Sequence, residues 1–141
     1  MQIQRIQTLF LLVAVVLMCI FCLTPYAQRT AIDAANSWSP VFVKDTPVLL
    51  AVNACIGILL LLNIFTYKNL RLQMRLTLVS MLLLAGSIVA STFVVTVGMP
   101  DAHLLWTGGV LLLVVALVMT LCAYRGMARD KRKLDSLNRL R

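Results

Sequence analysis

Glutamate does not occur in this chain, and its 141 residues hold one histidine and five aspartates. Charged residues make up 13% of the sequence, about half the ~25% usual for a soluble domain. Four cysteines are scattered through apolar runs rather than spaced as a framework. These scarcities exclude an ordinary soluble enzyme, a disordered chain and a disulfide scaffold. What fills the space is apolar: 61% of the residues are Ala, Val, Ile, Leu, Met, Phe, Trp, Tyr or Cys. Soluble domains sit near 45–50% even with Gly counted. A chain this small leaves much of its surface outside the core, so that excess has no soluble solution. The composition reads as a membrane protein.

A membrane-crossing helix needs about 20 mostly apolar residues at 1.5 Å rise each. Four charge-free windows meet that length: Arg5 to Arg29, Asp45 to Lys68, Arg75 to Asp101 and Asp101 to Arg125. The helices assigned from them cover residues 6–26, 47–67, 76–97 and 102–124, followed by a basic tail at 125–141. The expected fold is one all-α domain over 1–141, an antiparallel up-down bundle of four helices. The first window reads as a retained helix and not a cleaved leader. Its apolar run is long for a signal sequence, and Thr24-Pro25 stands where a cleavage site needs a small residue.

Orientation follows from basic residues in short loops, which stay on the cytoplasmic side. Arg5, the second loop (Lys68, Arg71, Arg75) and the tail (Arg125, Arg129, Lys131, Arg132, Lys133, Arg139, Arg141) share one side and hold 11 Lys and Arg. The other side holds Arg29 and Lys44. Both termini are therefore expected in the cytoplasm. This asymmetry accounts for the net charge of +8 without a nucleic-acid partner. The outer segment 27–46 is expected at the headgroup level, because Trp38, Pro40 and Phe42 suit that depth. Gly98-Met99-Pro100-Asp101 reads as a tight turn, with Asp101 as N-cap of the fourth helix.

No Asp, Glu, Lys or Arg lies within the four spans, so a proton-coupled carrier lacks its usual embedded acid. Asp101 and His103 read as a cap and an interfacial His beside Trp106, because a metal site needs ligands that the sequence does not show. Cys19, Cys22, Cys55 and Cys122 lie at membrane depths where exchange partners cannot reach them, which leaves a membrane thiol–disulfide enzyme as a third reading. Thr77, Ser80, Ser87 and Ser91 fall close to one face of the third helix, with Gly86 and Ala90 beside it. Gly109, Ala116, Thr120 and Ala123 share a face of the fourth. Such faces suit close helix packing. Asn53 and Asn63 carry amides that must find partners in lipid, across to a neighbouring helix or subunit.

The tail reads as a helix continuing out of the fourth span. Asp135 is spaced to pair with Lys131 and Arg139, and Met127, Leu134 and Leu137 make a narrow apolar stripe. Such a segment suits anionic headgroups or a cytoplasmic protein.

Three stretches taken together carry a resemblance: Gln2-Ile3-Gln4-Arg5-Ile6-Gln7-Thr8 at the start, Tyr67-Lys68-Asn69 with Leu72-Gln73-Met74-Arg75-Leu76, and Ser136-Leu137-Asn138-Arg139-Leu140-Arg141 at the end. The chain resembles domain-of-unknown-function family 4293, small four-helix inner-membrane proteins of Bacteroidetes. The resemblance implies a Gram-negative inner membrane and no assigned activity. The function expected is non-catalytic and without a cofactor or metal: an accessory or scaffold subunit in the bacterial inner membrane, touching lipid and a membrane or cytoplasmic protein partner through its basic face. A small transporter or channel, working through Asn53, the hydroxyls of helix three and the Asp101/His103 edge, is the alternative.

Overall fold

A computed structural model describes residues 2–30, 38–67, 69–98, 102–104 and 108–139. Four helices dominate: α1 (Gln2–Leu23), α2 (Pro47–Phe65), α3 (Leu70–Phe93) and α4 (Gly109–Arg139). Each contains a stretch long and apolar enough to cross a membrane. Between α1 and α2 the chain forms β1 (Pro25–Thr30), β2 (Trp38–Phe42) and a 3₁₀ turn (Val43–Asp45). Between α3 and α4 come a π-helical turn (Val94–Gly98) and β3 (Ala102–Leu104).

The four helices close a ring in which each packs chiefly on its two neighbours, α1 most extensively on α4. Two interhelical hydrogen bonds fix the antiparallel register of α2 and α3. Asn53 faces Ser87, and Asn63 faces Thr77, so an advance of ten residues along one helix matches a retreat of ten along the other. Gln7, early in α1, meets Asp130, late in α4, and these two are antiparallel as well.

Each helix turns a seam of three- and four-residue steps inward. The buried positions are Gln7, Leu11, Ala14, Met18 and Phe21 on α1, and Leu49, Asn53, Ile56, Leu60 and Asn63 on α2. On α3 they are Gln73, Thr77, Ser80, Leu84, Ser87 and Ser91, and on α4 Val110, Leu113, Ala116, Thr120, Ala123 and Met127. This is the spacing of left-handed knobs-into-holes packing. The outward faces carry large exposed apolar side chains such as Leu9, Ile58, Leu82 and Val118. Buried polar and small side chains share the interior with a large apolar core, while the outer faces are apolar, as lipid requires.

The connections depart from the sequence expectations. The outer connections, expected to carry no regular structure of their own beyond the helices of an all-α fold, contribute a small sheet, ordered β2-β1-β3 and antiparallel at both pairings. Helix α1 stops at Leu23 rather than 26, because Pro25 has no N–H and drives Thr24 out of helical geometry. Tyr26 then enters β1. It is fully buried, its ring centroid lies 6.3 Å from that of Phe21, and its hydroxyl lies 3.2 Å from Thr46 Oγ1. Pro40 is tolerated because β2 is an edge strand.

Residues expected to open the fourth helix instead pair with β1: Ala102 with Arg29, His103 with Gln28 and Leu104 with Ala27. Helix α4 begins at Gly109. Its first turn rests on the backbone of Pro25 and Tyr26, where a Cβ on Gly109 would come within 2.6 Å of Tyr26 Cα. Asp101, expected as the N-cap of the fourth helix, and Trp106, expected beside His103, lie outside the described residues.

The basic loop is largely helix, since α3 starts at Leu70 and carries Arg71 and Arg75 in its first turns. Gly86, expected beside the packing face, is exposed with open space around its Cβ position, because it is rotated about 100° from the Ser87 seam. Met127 belongs to the bundle core and not to an apolar stripe of the tail.

Candidate functional site

The first polar constellation is the interior seam. Asn53 Nδ2 donates to the Leu49 carbonyl at 2.8 Å, and Asn53 Oδ1 accepts from Ser87 Oγ at 3.0 Å. Asn63 Nδ2 donates to Thr77 Oγ1 at 2.7 Å, and that hydroxyl donates to the Gln73 carbonyl at 2.8 Å. Ser80 and Ser91 bond back to their own helix, at Leu76 and Ile88, and Thr120 does the same at Leu117. The expected interhelical partner of Asn53 is thus Ser87, within the chain. Asn63 Oδ1 is buried and has no hydrogen-bond partner.

A double-mutant cycle tests the Asn53–Ser87 pair. With Asn53→Ala, Ser87→Ala and the double variant, the expected coupling is about 0.6 kcal/mol, the usual worth of such a bond in a membrane bundle. Denaturant titration in detergent micelles measures it, and additive effects would mean that the pair contributes no coupling.

The second constellation is the basic end of the bundle. Arg71 and Arg75 are exposed on α3, and Arg125, Arg129, Lys131, Arg132 and Lys133 are exposed on α4. Two clefts open here on either side of α4. One, of about 200 Å³, is lined by Arg71, Arg75, Tyr124 and Lys131 together with Met74 and Leu78. The other, of about 480 Å³, lies between α1 and α4, with Arg125, Arg129 and Lys133 around Ile6, Phe10 and Cys122.

Gln7 sits in the wall of that second cleft and is almost wholly buried. Its amide nitrogen donates to the Asp130 carboxylate. Gly126 makes room for it, since a Cβ there would lie 3.0 Å from Gln7 Cγ. Sequence reasoning passed over Asp130. Its signal was present, as the one acid between Arg125 and Lys133, but its partner lies 123 residues away.

Of the other expected basic residues, Lys68 and Arg141 lie outside the described residues, and the side chains of Arg5 and Arg139 do too. The same holds for the side chains of Asp135, Leu137 and His103, although His103 has its backbone in β3. Beyond Asp130 the helix continues to Arg139, with Lys131, Arg132, Lys133, Leu134 and Ser136 all exposed. The four cysteines are free, Cys19 and Cys55 exposed on the outer surface of the bundle. Among the described residues, no group of three or more His, Cys, Asp or Glu could hold a metal ion.

Four apolar helices with an inward polar seam define a multi-pass membrane protein. Within that class, the model of the domain of unknown function DUF4293 matches residues 3–140, and the chain belongs to that family. No curated protein and no solved structure matches it.

Proposed function

We propose that this protein is a non-catalytic accessory or scaffold subunit of a bacterial inner membrane, with both termini in the cytoplasm, holding a protein partner at its basic end. The observation that carries the reading is the outward run of α4. At about 1.5 Å per residue its 31 residues extend about 46 Å, well past a ~30 Å hydrocarbon layer. The part beyond Asp130 presents Lys131, Arg132, Lys133 and a half-exposed Leu134. A half-exposed Leu134 beside this run of cations suits a partner surface that carries acidic and apolar groups together. The 11-to-2 bias of basic residues supports the cytoplasmic placement of that end. A small transporter or channel is the second reading, and its support is Asn63 Oδ1, the buried polar atom without a partner.

The exchange Arg71→Lys with Arg75→Lys and Arg139→Lys tests the scaffold reading. It keeps every charge, so topology and general attraction to anionic surfaces stay as they are. It removes the planar five-donor fork that a docked carboxylate reads. After mild-detergent purification of a tagged chain, the partner retained by the unaltered protein is expected to fall about tenfold, roughly the loss of two or three charged hydrogen bonds weakened in part. A phosphatase fused near Ser37 should stay active and one fused after Arg141 inactive in both proteins. Equal retention by the triple variant would reduce the basic end to a topology signal.

A further inference from the structure

The α3–α4 surface carries a groove whose chemistry changes along its length. At the basic end its mouth is formed by Arg71, Arg75, Lys131 and the half-buried Tyr124. Leu78 is shared between that mouth and a second cleft of about 360 Å³, which runs on between Leu82 and Ala85 of α3 and Leu117 and Leu121 of α4. The second cleft exposes no polar surface. The two are therefore consecutive stretches of one channel along the outside of the bundle, cationic at one end and wholly apolar beyond it.

The geometry points to a binding site for a single anionic phospholipid of the surrounding leaflet, its phosphate held by Arg71, Arg75 and Lys131 and one acyl chain laid along Leu78, Leu82 and Ala85. Three lines converge on that occupant. The first is charge. Among the described residues no acidic side chain pairs with Arg71, Arg75 or Lys131, and no carboxylate lines the mouth. Three cations clustered beside a hydrocarbon surface favour a phosphate, and Arg presents the donor fork that fits one bidentately. The second is length. From Arg75 to Ala85 the groove runs about 15 Å, the depth of one leaflet of a ~30 Å hydrocarbon layer. The third is position. Tyr124 stands where the cationic and apolar stretches meet, the depth at which an aromatic ring with a polar tip is favoured.

The mirror cleft between α1 and α4 lacks this combination. Asp130 stands among its cations, and no apolar channel is found leading on from it among the described clefts. It supplies an internal control. The lipid site does not depend on the scaffold reading, and the two fail separately: partner retention is read on the Arg-to-Lys exchange, which keeps every charge, and lipid retention on the Gln variant, which removes them.

The test is native mass spectrometry of the full chain in mild detergent with equal amounts of phosphatidylglycerol and phosphatidylcholine. The unaltered protein is expected to retain one phosphatidylglycerol in preference to phosphatidylcholine. The variant Arg71→Gln/Arg75→Gln/Lys131→Gln should bind it about a hundredfold more weakly, at roughly one order of magnitude or a little less per basic residue near a headgroup. Ala85→Phe fills the apolar stretch, leaves every charge in place, and should weaken retention about tenfold. Arg125→Gln/Arg129→Gln/Lys133→Gln, an equal loss of charge across α4, should leave it within about twofold. All the substituted side chains are exposed, so the bundle core is untouched. Equal retention of the two lipids, undiminished binding by either groove variant, or an equal loss in the control would overturn the site.

Discussion

Gly109→Ala is expected to be the most damaging single-methyl change in the molecule. The added Cβ would stand 2.6 Å from Tyr26 Cα, 2.7 Å from Tyr26 Cβ and 2.9 Å from the Pro25 carbonyl oxygen. These obstacles are mostly backbone, so no rotamer change relieves them. Tyr26 cannot retreat, because it is fully buried against Phe21 and its strand is paired on both sides. Overpacking a filled site costs about 1–3 kcal/mol, and this one belongs at the top of that range or above it. The expected result is a clear fall in the thermal midpoint of the detergent-solubilised protein, together with lower yield in membranes. Gly108→Ala is the matched control. Its Cβ would meet nothing within 4 Å, so its midpoint should stay close to that of the unaltered chain. Equal behaviour of the two variants would remove the claim that α4 starts against the strand.

The second large effect is expected at the other end of the same helix pair. Asp130→Ala takes the acceptor from Gln7, whose side chain is 3% exposed and cannot turn to water. A hydrogen bond to a charged acceptor is worth about 1.5–3 kcal/mol net, and a buried donor left unmade costs a similar amount. Because Asp130 is itself only half-buried, about 2 kcal/mol is expected. The double variant Gln7→Leu/Asp130→Leu removes donor and acceptor together and should recover most of the loss, since replacing both partners by apolar groups leaves nothing unpaired. Measured by thermal melting in micelles, Asp130→Ala should fall below the double variant. A double variant as unstable as Asp130→Ala would mean that Asp130 acts through something other than Gln7.

The helices were legible because each must supply its own backbone hydrogen bonds in lipid, which writes one long charge-free window per span. The helix-three face Thr77, Ser80, Ser87, Ser91 was legible for a related reason. In a chain whose outer surface is also apolar, polar residues at seam spacing mark the inside, and all four are buried. The α2 amides were legible as needing partners, though Ser87 and Thr77 as those partners were not, since the sequence carries no register between helices.

Other features left no local trace. Strand β3 is three residues long, too short to show a period, and it exists because β1 offers it an open edge. The glycines look alike in sequence, yet Gly109 lies against backbone while Gly86 faces open space. The sequence by itself determined the membrane class, the number of spans, the one-sided charge and the hydroxyl seam of α3, because these follow from the solvation of single residues and single helices. Only the tertiary structure decided the sheet that joins the outer connections, the pairing of Gln7 with Asp130 and the groove linking Arg71, Arg75 and Lys131 to an apolar channel. Each of these depends on segments far apart in the chain meeting at one register, and that register is set by packing between helices rather than by any one of them.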